Sequence, residues 1–123
     1  LKVDAFIEKG VEKRGLIHVD GKKEFAFDKD RKLMVIDTFG TADEDRFWDK
    51  ASWEEKGECI ELSKEFVRKY YRDIGYLEKL EDARSKKEDE PPIPALKNDF
   101  IDEVSRLYID LFERLTGQVF RGS

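Results

Sequence analysis

Residues 16–27 alternate between apolar and polar side chains, which predicts a β-strand with two chemically different faces. The apolar residues 33–37 predict a second strand, and the turn-forming residues 28–31 between the two predict an antiparallel hairpin. We expect the apolar face of the first strand to be buried and the polar face to carry the chemistry. The apolar face holds Ile17, Val19, Phe25 and Phe27, and the polar face holds His18, Asp20, Lys22 and Glu24.

The register of this hairpin is predicted to place Glu24 opposite Asp37. A two-residue loop and a four-residue loop both give that pairing, whereas an odd loop or a bulge would break it. Two facing carboxylates repel by about 0.2–1 kcal/mol, and Mg²⁺, which binds one or two carboxylates together with phosphate oxygens and water, would remove the repulsion. The pattern is open to two interpretations: a metal–phosphate site, or a solvated polar face neutralised by Lys22 and Lys23.

Apolar positions at helical spacing predict helices around the hairpin. The first helix ends near Gly15 and carries Gly10 on its apolar side, which predicts close packing on the sheet. Ser63 is the expected N-cap of a second helix, and Gly117 is the expected C′ residue of the last one. The predicted buried stripes are Phe66, Val67, Tyr70, Tyr71 and Ile74 in the second helix, and Ile101, Val104, Leu107, Tyr108, Leu111, Phe112 and Leu115 in the last.

The segments between these elements are predicted to be a loop over residues 38–56, a short strand over residues 58–62 and a solvated connection over residues 81–95. A hairpin packed with helices makes the predicted fold class α+β. The chain of 123 residues is long enough for one domain with a hydrophobic core.

Composition narrows the function classes. Charged residues make up 43% of the chain and the net charge is −5, which argues against a general nucleic-acid binder because such proteins carry a basic surplus. The single cysteine, Cys59, excludes an internal disulfide and is expected to be a small buried residue. Because no apolar run approaches the length of a membrane span, we expect a cytoplasmic protein.

Two groups of cations are candidates for binding an anion. Lys64, Arg68 and Arg72 recur at i, i+4 and i+8 of the second helix and repel each other unless an anion lies beside them. Arg46 precedes two large aromatic residues that could hold its guanidinium rigidly for bidentate phosphate binding. Neighbouring acids could neutralise either group instead, so structural salt bridges remain an alternative. His18, the only histidine, is expected to be structural.

Three separated motifs, GLIHVDGKKEF, LMVIDTFGTADEDRFWD and LSKEFVRKYYRDIGY, occur in an order that resembles the C-terminal half of the SAICAR synthetase (phosphoribosylaminoimidazole-succinocarboxamide synthase) family of purine biosynthesis. The resemblance covers nearly all of residues 1–120, and the tail looks like family versions that carry a C-terminal extension. It implies the C-terminal part of the SAICAR synthetase-like, ATP-grasp-related fold. Residues 121–123 read as a cloning remnant.

The resemblance also implies an activity. Family members join L-aspartate to carboxyaminoimidazole ribonucleotide (CAIR) with ATP and Mg²⁺, giving SAICAR, ADP and phosphate. The family's N-terminal half, with its adenine pocket, is not among these residues, so we expect this chain to need that half as a partner and to be inactive alone. No nucleic-acid or membrane partner is expected, and self-association is left open.

The resemblance assigns roles to particular residues. Glu24 and Asp37 align with the magnesium-binding acids, and Lys22 aligns with an active-site lysine. Asp43 and Arg46 align with residues that bind CAIR, the arginine at its phosphate. The implied catalytic set is Lys22, Glu24 and Asp37, and the implied substrate-binding set is Asp43, Arg46, Lys64 and Arg68.

The chain departs from the family pattern at several positions. Thr38 replaces the usual glutamate after Asp37, and Ala26, Gly40 and Ala42 replace other family residues. Because the length of the loop is kept, these changes indicate a divergent, archaeal-type branch. Two alternatives are a phosphate-binding regulatory domain without catalysis and a non-enzymatic module that binds a partner through Phe47, Trp48 and Trp53.

Overall fold

The structure, a computed structural model, describes residues 1–122 and has an α+β architecture, which confirms the predicted fold class. The expectation that residues 121–123 are a cloning remnant falls partly on Ser123, which lies outside the described residues. The elements in chain order are α1 (Lys2–Glu12), β1 (Leu16–Gly21), β2 (Glu24–Phe27), β3 (Leu33–Ile36), β4 (Asp45–Asp49), α2 (Lys50–Lys56), α3 (Glu65–Asp73), α4 (Tyr76–Lys86) and α5 (Asn98–Thr116).

The strands form two separate antiparallel pairs, β1 with β4 and β2 with β3. The predicted single strand over residues 16–27 is therefore wrong, because it breaks at Lys22 and Lys23 and its two pieces have different partners. The predicted loop over residues 38–56 contains β4 and α2. The predicted strand over residues 58–62 is reduced to one isolated bridge between Trp48 and Glu61.

The register of the β2–β3 hairpin differs by one residue from the prediction. Glu24 lies opposite Ile36, and the predicted pairing of Glu24 with Asp37 is wrong. Phe25 and Phe27, which we expected to be buried, are 50% and 58% exposed.

The cause of the shift is an odd-numbered loop. The Asp28 N–H donates to the Lys32 carbonyl at 3.0 Å, and the Arg31 N–H donates to the Asp28 carbonyl at 3.0 Å. Arg31 has φ 63°, in the left-handed region that closes a three-residue hairpin loop. The sequence carries no glycine at this position to signal that loop.

The core lies where α1, β1, β4 and α5 meet, and it is formed by Val11, Leu16, Ala42, Phe47 and Leu111. Phe47 is fully buried, so it is not available to a partner surface. A Cβ at Gly10 would meet nothing within 4 Å, so the predicted close packing of that glycine is wrong. Cys59, expected to be buried, is exposed.

Asp45 is a fully buried carboxylate at the edge of this core. It accepts hydrogen bonds from His18 Nε2 at 2.5 Å, from Lys23 Nζ at 2.9 Å and from the Gly40 N–H at 2.8 Å. Burial tends to raise the pKa of Asp45, but these hydrogen bonds outweigh it and hold the pKa below its usual value. A side chain at Gly21 would clash with this carboxylate, so the site needs a glycine there.

The predicted helices are present with shifted ends, but Ile74, Ile101 and Phe112, which we expected to be buried, are 44%, 45% and 39% exposed. α3 begins at Glu65, and the buried Ser63 accepts a hydrogen bond from the Glu65 N–H at 3.3 Å although Lys64 occupies the N-cap position. α4 runs to Lys86 and so replaces the first part of the predicted solvated connection. Gly117, with φ 70°, ends α5 as predicted.

Hydrogen bonds from tyrosine and arginine side chains hold α5 and the segment before it. Tyr76 donates to the Pro91 carbonyl at 3.1 Å and Tyr71 to the Pro94 carbonyl at 2.9 Å. At the other end of α5, Arg114 donates to the Gly15 carbonyl at 2.6 Å. No helix within residues 1–122 is long and apolar enough to cross a membrane.

Replacing Asp45 with asparagine should destabilise the fold, because His18 and Lys23 would keep their buried positions without the balancing charge. We expect a loss of about 3–5 kcal/mol in the free energy of unfolding at pH 7, measured by urea titration. The pKa of Asp45 is depressed in the folded state, so its contribution is present above the unfolded pKa of about 3.9 and declines as the pH falls through the folded pKa.

The difference in stability between the native chain and D45N should therefore shrink below about pH 4. Asp30, on the exposed hairpin turn, gives a matched control in D30N. A stability difference that stays constant from pH 7 to pH 3 would contradict this account of Asp45.

Candidate functional site

An open cleft of about 510 Å³ lies between β1, β4 and the start of α3. It brings together four of the predicted site residues, Lys22, Arg46, Lys64 and Arg68. The rest of its lining is Asp20, Gly21, Glu44 and Glu65. Cations separated by up to 46 positions in the sequence thus line one open cleft, which is an arrangement suited to an anionic ligand.

Arg46 is held by Asp20 across the β1–β4 pair, where the two residues lie opposite each other. Its Nε donates to one carboxylate oxygen of Asp20 at 2.7 Å, and its Nη2 donates to the other. The hydrogen bond and the charge of the partner raise the pKa of Arg46, and the same hydrogen bond lowers the pKa of Asp20. The third guanidinium nitrogen, Nη1, takes no part in this pair.

Lys22 lies beside the predicted metal-binding acids. Its ammonium pairs with the Glu24 carboxylate, which raises the pKa of Lys22, and the charges of Asp37 and Glu44 raise that pKa further. Glu24 pairs with Lys22 and lies opposite Ile36, so it does not face Asp37 across the hairpin. Asp37 adopts a left-handed conformation with φ 66°, and its carboxylate accepts the Thr38 N–H at 2.8 Å.

The acids near Lys22 do not form a ready-made metal cage. Within residues 1–122, no group of three or more histidine, cysteine, aspartate or glutamate side chains could hold a metal ion. Mg²⁺, however, commonly takes only one or two protein carboxylates and completes its shell with phosphate oxygens and water. Two carboxylates, Glu24 and Asp37, fit that donor set, and their role as ligands stays a prediction.

The cationic ridge of α3 is partly neutralised by its own helix. Arg68 pairs with Glu65 at 2.5 Å, and Arg72 lies 3.8 Å from the same carboxylate. Arg72 does not line the cleft, whereas Lys64 lines it and forms no ion pair within the described part of the chain. Of the three cations of the predicted ridge, only Lys64 therefore lines the cleft without an ion pair in the described residues, whereas Arg68 lines it while paired with Glu65.

Asp43 lies apart from the other predicted site residues. Its carboxylate accepts the Tyr108 hydroxyl at 2.8 Å, and burial together with this hydrogen bond raises the pKa of Tyr108 to about 12. Both residues line a mainly apolar pocket of about 380 Å³ between residues 40–43 and α5. Asp43 therefore lines a different pocket from Glu44 and Arg46.

Sequence reasoning did not assign a site role to Asp20, Glu44, Glu65 or Tyr108. Asp20 could have been found, because it lies on the same polar face as Lys22 and two positions before it. The contact of Tyr108 with Asp43 could not have been found from the sequence, because the place of Tyr108 in an apolar helical stripe predicts only a core residue.

Solved structures share this fold. SAICAR-synthase from Saccharomyces cerevisiae, complexed with SAICAR, superposes with a TM-score of 0.72 over 98% of this chain and 37% of that chain, at 24% identity. A SAICAR synthetase (Type-2) in complex with ADP gives a TM-score of 0.60 over 99% of this chain and 36% of that chain, also at 24% identity. At this identity the likeness establishes the fold alone.

Two relatives found by sequence comparison share more than half of their aligned residues with this chain. The phosphoribosylaminoimidazole-succinocarboxamide synthase of Thermoplasma volcanium is 56% identical over 117 residues, and that of Thermoplasma acidophilum is 54% identical over 118 residues. These alignments cover 95% and 96% of this chain but only 40% of each relative, so the chain spans about 40% of their length. The sequence profile of SAICAR synthetase matches residues 1–86. The chain therefore belongs to the SAICAR synthetase family.

Proposed function

We propose that this chain is the C-terminal part of an ATP-dependent carbon–nitrogen ligase that joins L-aspartate to CAIR, giving SAICAR, ADP and phosphate. The relatives carry the name of that synthase, and solved relatives contain SAICAR in one case and ADP in another. The observation that carries the proposal is the cleft in which Lys22, Arg46, Lys64 and Arg68 meet.

The proposed chemistry needs such a cleft because every substrate is an anion. The carboxylate of CAIR attacks the terminal phosphorus of ATP, and ADP leaves with the electron pair of the broken bond. The aspartate amine then attacks the acyl phosphate carbon, phosphate leaves, and the nitrogen loses a proton. Preorganised cations stabilise the charge that moves between oxygens in both steps.

Each cation in the cleft has a proposed part in this scheme. Arg46 binds the phosphate of CAIR, with Asp20 fixing the plane of its guanidinium so that little side-chain entropy is lost on binding. Lys64 and Arg68 bind substrate carboxylates at the start of α3. Lys22 lies near the phosphoryl group that is transferred. The proposed contact of Asp43 with CAIR requires the ligand to extend beyond the cleft, because Asp43 lines the separate pocket beside α5.

Glu24 and Asp37 would hold Mg²⁺ beside Lys22. When bound, Mg²⁺ would neutralise negative charge on the phosphate oxygens. The proposed work of this chain's own residues is to place those two carboxylates together, with Glu24 held by Lys22 and Asp37 held by the Thr38 N–H. Thr38 itself is expected to contribute little, because a hydroxyl is a weak replacement for a carboxylate.

The part of the relatives that lies outside their alignment with this chain is proposed to supply the adenine pocket. We also propose a cytoplasmic enzyme, because multiply charged phosphate substrates do not cross membranes. A second candidate function is a phosphate-binding regulatory domain without catalysis, which the replacement of the family glutamate by Thr38 favours.

Arg46→Lys in the full-length enzyme should raise KM for CAIR about tenfold, equivalent to about 1.4 kcal/mol, and leave KM for ATP nearly unchanged. Lysine keeps the charge but loses the flat, multi-donor hydrogen bonding of the guanidinium. Arg72→Lys, on the same ridge of cations but outside the cleft, is the control. An equal rise in both KM values would show that Arg46 does not contact CAIR.

Asp37→Ala and Glu24→Ala should each lower kcat of the full-length enzyme about 100-fold or more at saturating Mg²⁺, because phosphate charge is left uncompensated. Thr38→Ala, one position away, should stay within about threefold of the native rate and controls for disturbance of the backbone. Retention of a near-native rate by D37A would remove Asp37 from the proposed metal site.

The 123-residue chain alone should show no ligase turnover and only weak nucleotide affinity, because the adenine pocket is proposed to lie in the missing part. Calorimetric titration with ATP and Mg²⁺ should give a dissociation constant well above the micromolar range. The full-length enzyme under the same conditions is the positive control. Micromolar or tighter binding by the chain alone would place the nucleotide site within these residues.

A further inference from the structure

The two ends of the β2–β3 hairpin meet at one buried carboxylate. The first stem of the hairpin is Lys23, directly before β2, and the second stem is residues 37–40, directly after β3. The Lys23 ammonium donates to Oδ2 of Asp45 at 2.9 Å, and the Gly40 N–H donates to Oδ1 at 2.8 Å. Each oxygen of Asp45 thus holds one stem, at an ordinary hydrogen-bond length.

Lys23 also contacts the second stem directly. Its ammonium lies 5.6 Å from the centre of the Phe39 ring, which is within the range of a cation–π interaction. The Lys23 side chain is 6% exposed and that of Asp45 is fully buried, so water competes little for these contacts. Charge-assisted hydrogen bonds are stronger in such a setting than at the surface.

The described chain has no strand pairing between the two sheets. Within residues 1–122, β2 and β3 pair only with each other, and β1 and β4 form a separate sheet. Asp45 is the first residue of β4, so its hydrogen bonds join the stems of one sheet to a strand of the other. These bonds restrain where the stems lie relative to β4.

The proposed site residues are neighbours of these contacts in sequence. Glu24 follows Lys23, Asp37 begins the second stem, and Arg46 follows Asp45. Consecutive Cα atoms are about 3.8 Å apart, so a contact that fixes one residue also restricts its neighbour. The buried carboxylate therefore lies between the proposed metal ligands and the arginine proposed to bind the substrate phosphate.

We propose that Asp45 is a positioning residue, which holds the two proposed magnesium ligands in place relative to each other and to Arg46. Lys23 transmits the restraint to the first stem, and Gly40 transmits it to the second. The proposal rests on the proposed function, because that function assigns the metal and the substrate phosphate to these residues. Residues that orient metal ligands commonly change metal affinity by 10–100-fold.

His18 provides a matched comparison within the same cluster. Its Nε2 contacts the same oxygen of Asp45 as Lys23, at 2.5 Å, and its side chain is equally shielded from water. His18 lies on β1, however, and holds neither stem of the hairpin. A purely structural role for Asp45 predicts similar effects from the loss of either partner, whereas positioning predicts that only the loss of Lys23 disturbs the metal site.

Lys23→Met in the full-length enzyme should raise the dissociation constant for Mn²⁺, used as the probe for the magnesium site, about tenfold. Electron paramagnetic resonance of the free ion measures this constant without turnover. Calorimetry should give a dissociation constant for CAIR within about threefold of the native value, because Asp20 still orients Arg46.

His18→Gln should lower stability against urea but leave the Mn²⁺ constant within about threefold of the native value. Asp37→Ala assigns the ion to the proposed site, because it should weaken Mn²⁺ binding more than K23M does. Lys23→Gln gives the same test should K23M not fold, since glutamine is uncharged and one atom shorter than lysine.

A native Mn²⁺ constant in both Lys23 variants would overturn the proposal, as would equal rises in K23M and H18Q. Mn²⁺ binding that D37A leaves unchanged would overturn it too, because the ion would then lie elsewhere. These binding constants require no ligase activity. A constant that rises in K23M but not in H18Q therefore supports the positioning even in an enzyme that forms no SAICAR, an outcome that would contradict the proposed ligase function alone.

Discussion

Asp45 is a charged group with no access to water, and its charge is balanced by donors from three separate segments. His18 brings β1, Lys23 brings the link between the two sheets, and Gly40 brings the loop before β4. An unbalanced buried carboxylate would be strongly unfavourable, so these segments are held together as one unit. Lys22 and Arg46, the neighbours of Lys23 and Asp45 in sequence, reach the cleft because of this arrangement.

In the cleft, acidic side chains partly neutralise the cations and fix their orientation. Asp20 orients Arg46 and Glu65 orients Arg68, while Lys64 forms no ion pair within the described residues. Surface ion pairs contribute little to stability, so the value of these contacts lies in the orientation of the cations. A phosphate or carboxylate entering the cleft meets side chains whose rotamers are already restricted, which lowers the entropy lost on binding.

The two β-sheets differ in how much of their apolar surface is buried. β1 and β4 are tied into the core through Leu16 and Phe47. The β2–β3 hairpin carries Glu24, a proposed magnesium ligand, and Asp37 follows it directly; the large apolar side chains of its two strands are 39–65% exposed. Arg46 therefore stands on a strand of the core, whereas Glu24 stands on a hairpin with little packing from the other helices and strands of residues 1–122.

The sequence by itself determined the α+β class, the family, the last helix with Gly117 and the membership of Lys22 and Arg46 in one site, because periodicity and motif spacing are local properties. Only the tertiary structure decided the strand partners, the one-residue shift that places Ile36 opposite Glu24, and the buried position of Asp45. The hairpin register depends on the left-handed conformation of Arg31, a residue type that does not signal such a conformation in the sequence. The burial of Asp45 depends on hydrogen-bond donors that converge from distant segments, so no local pattern predicts it.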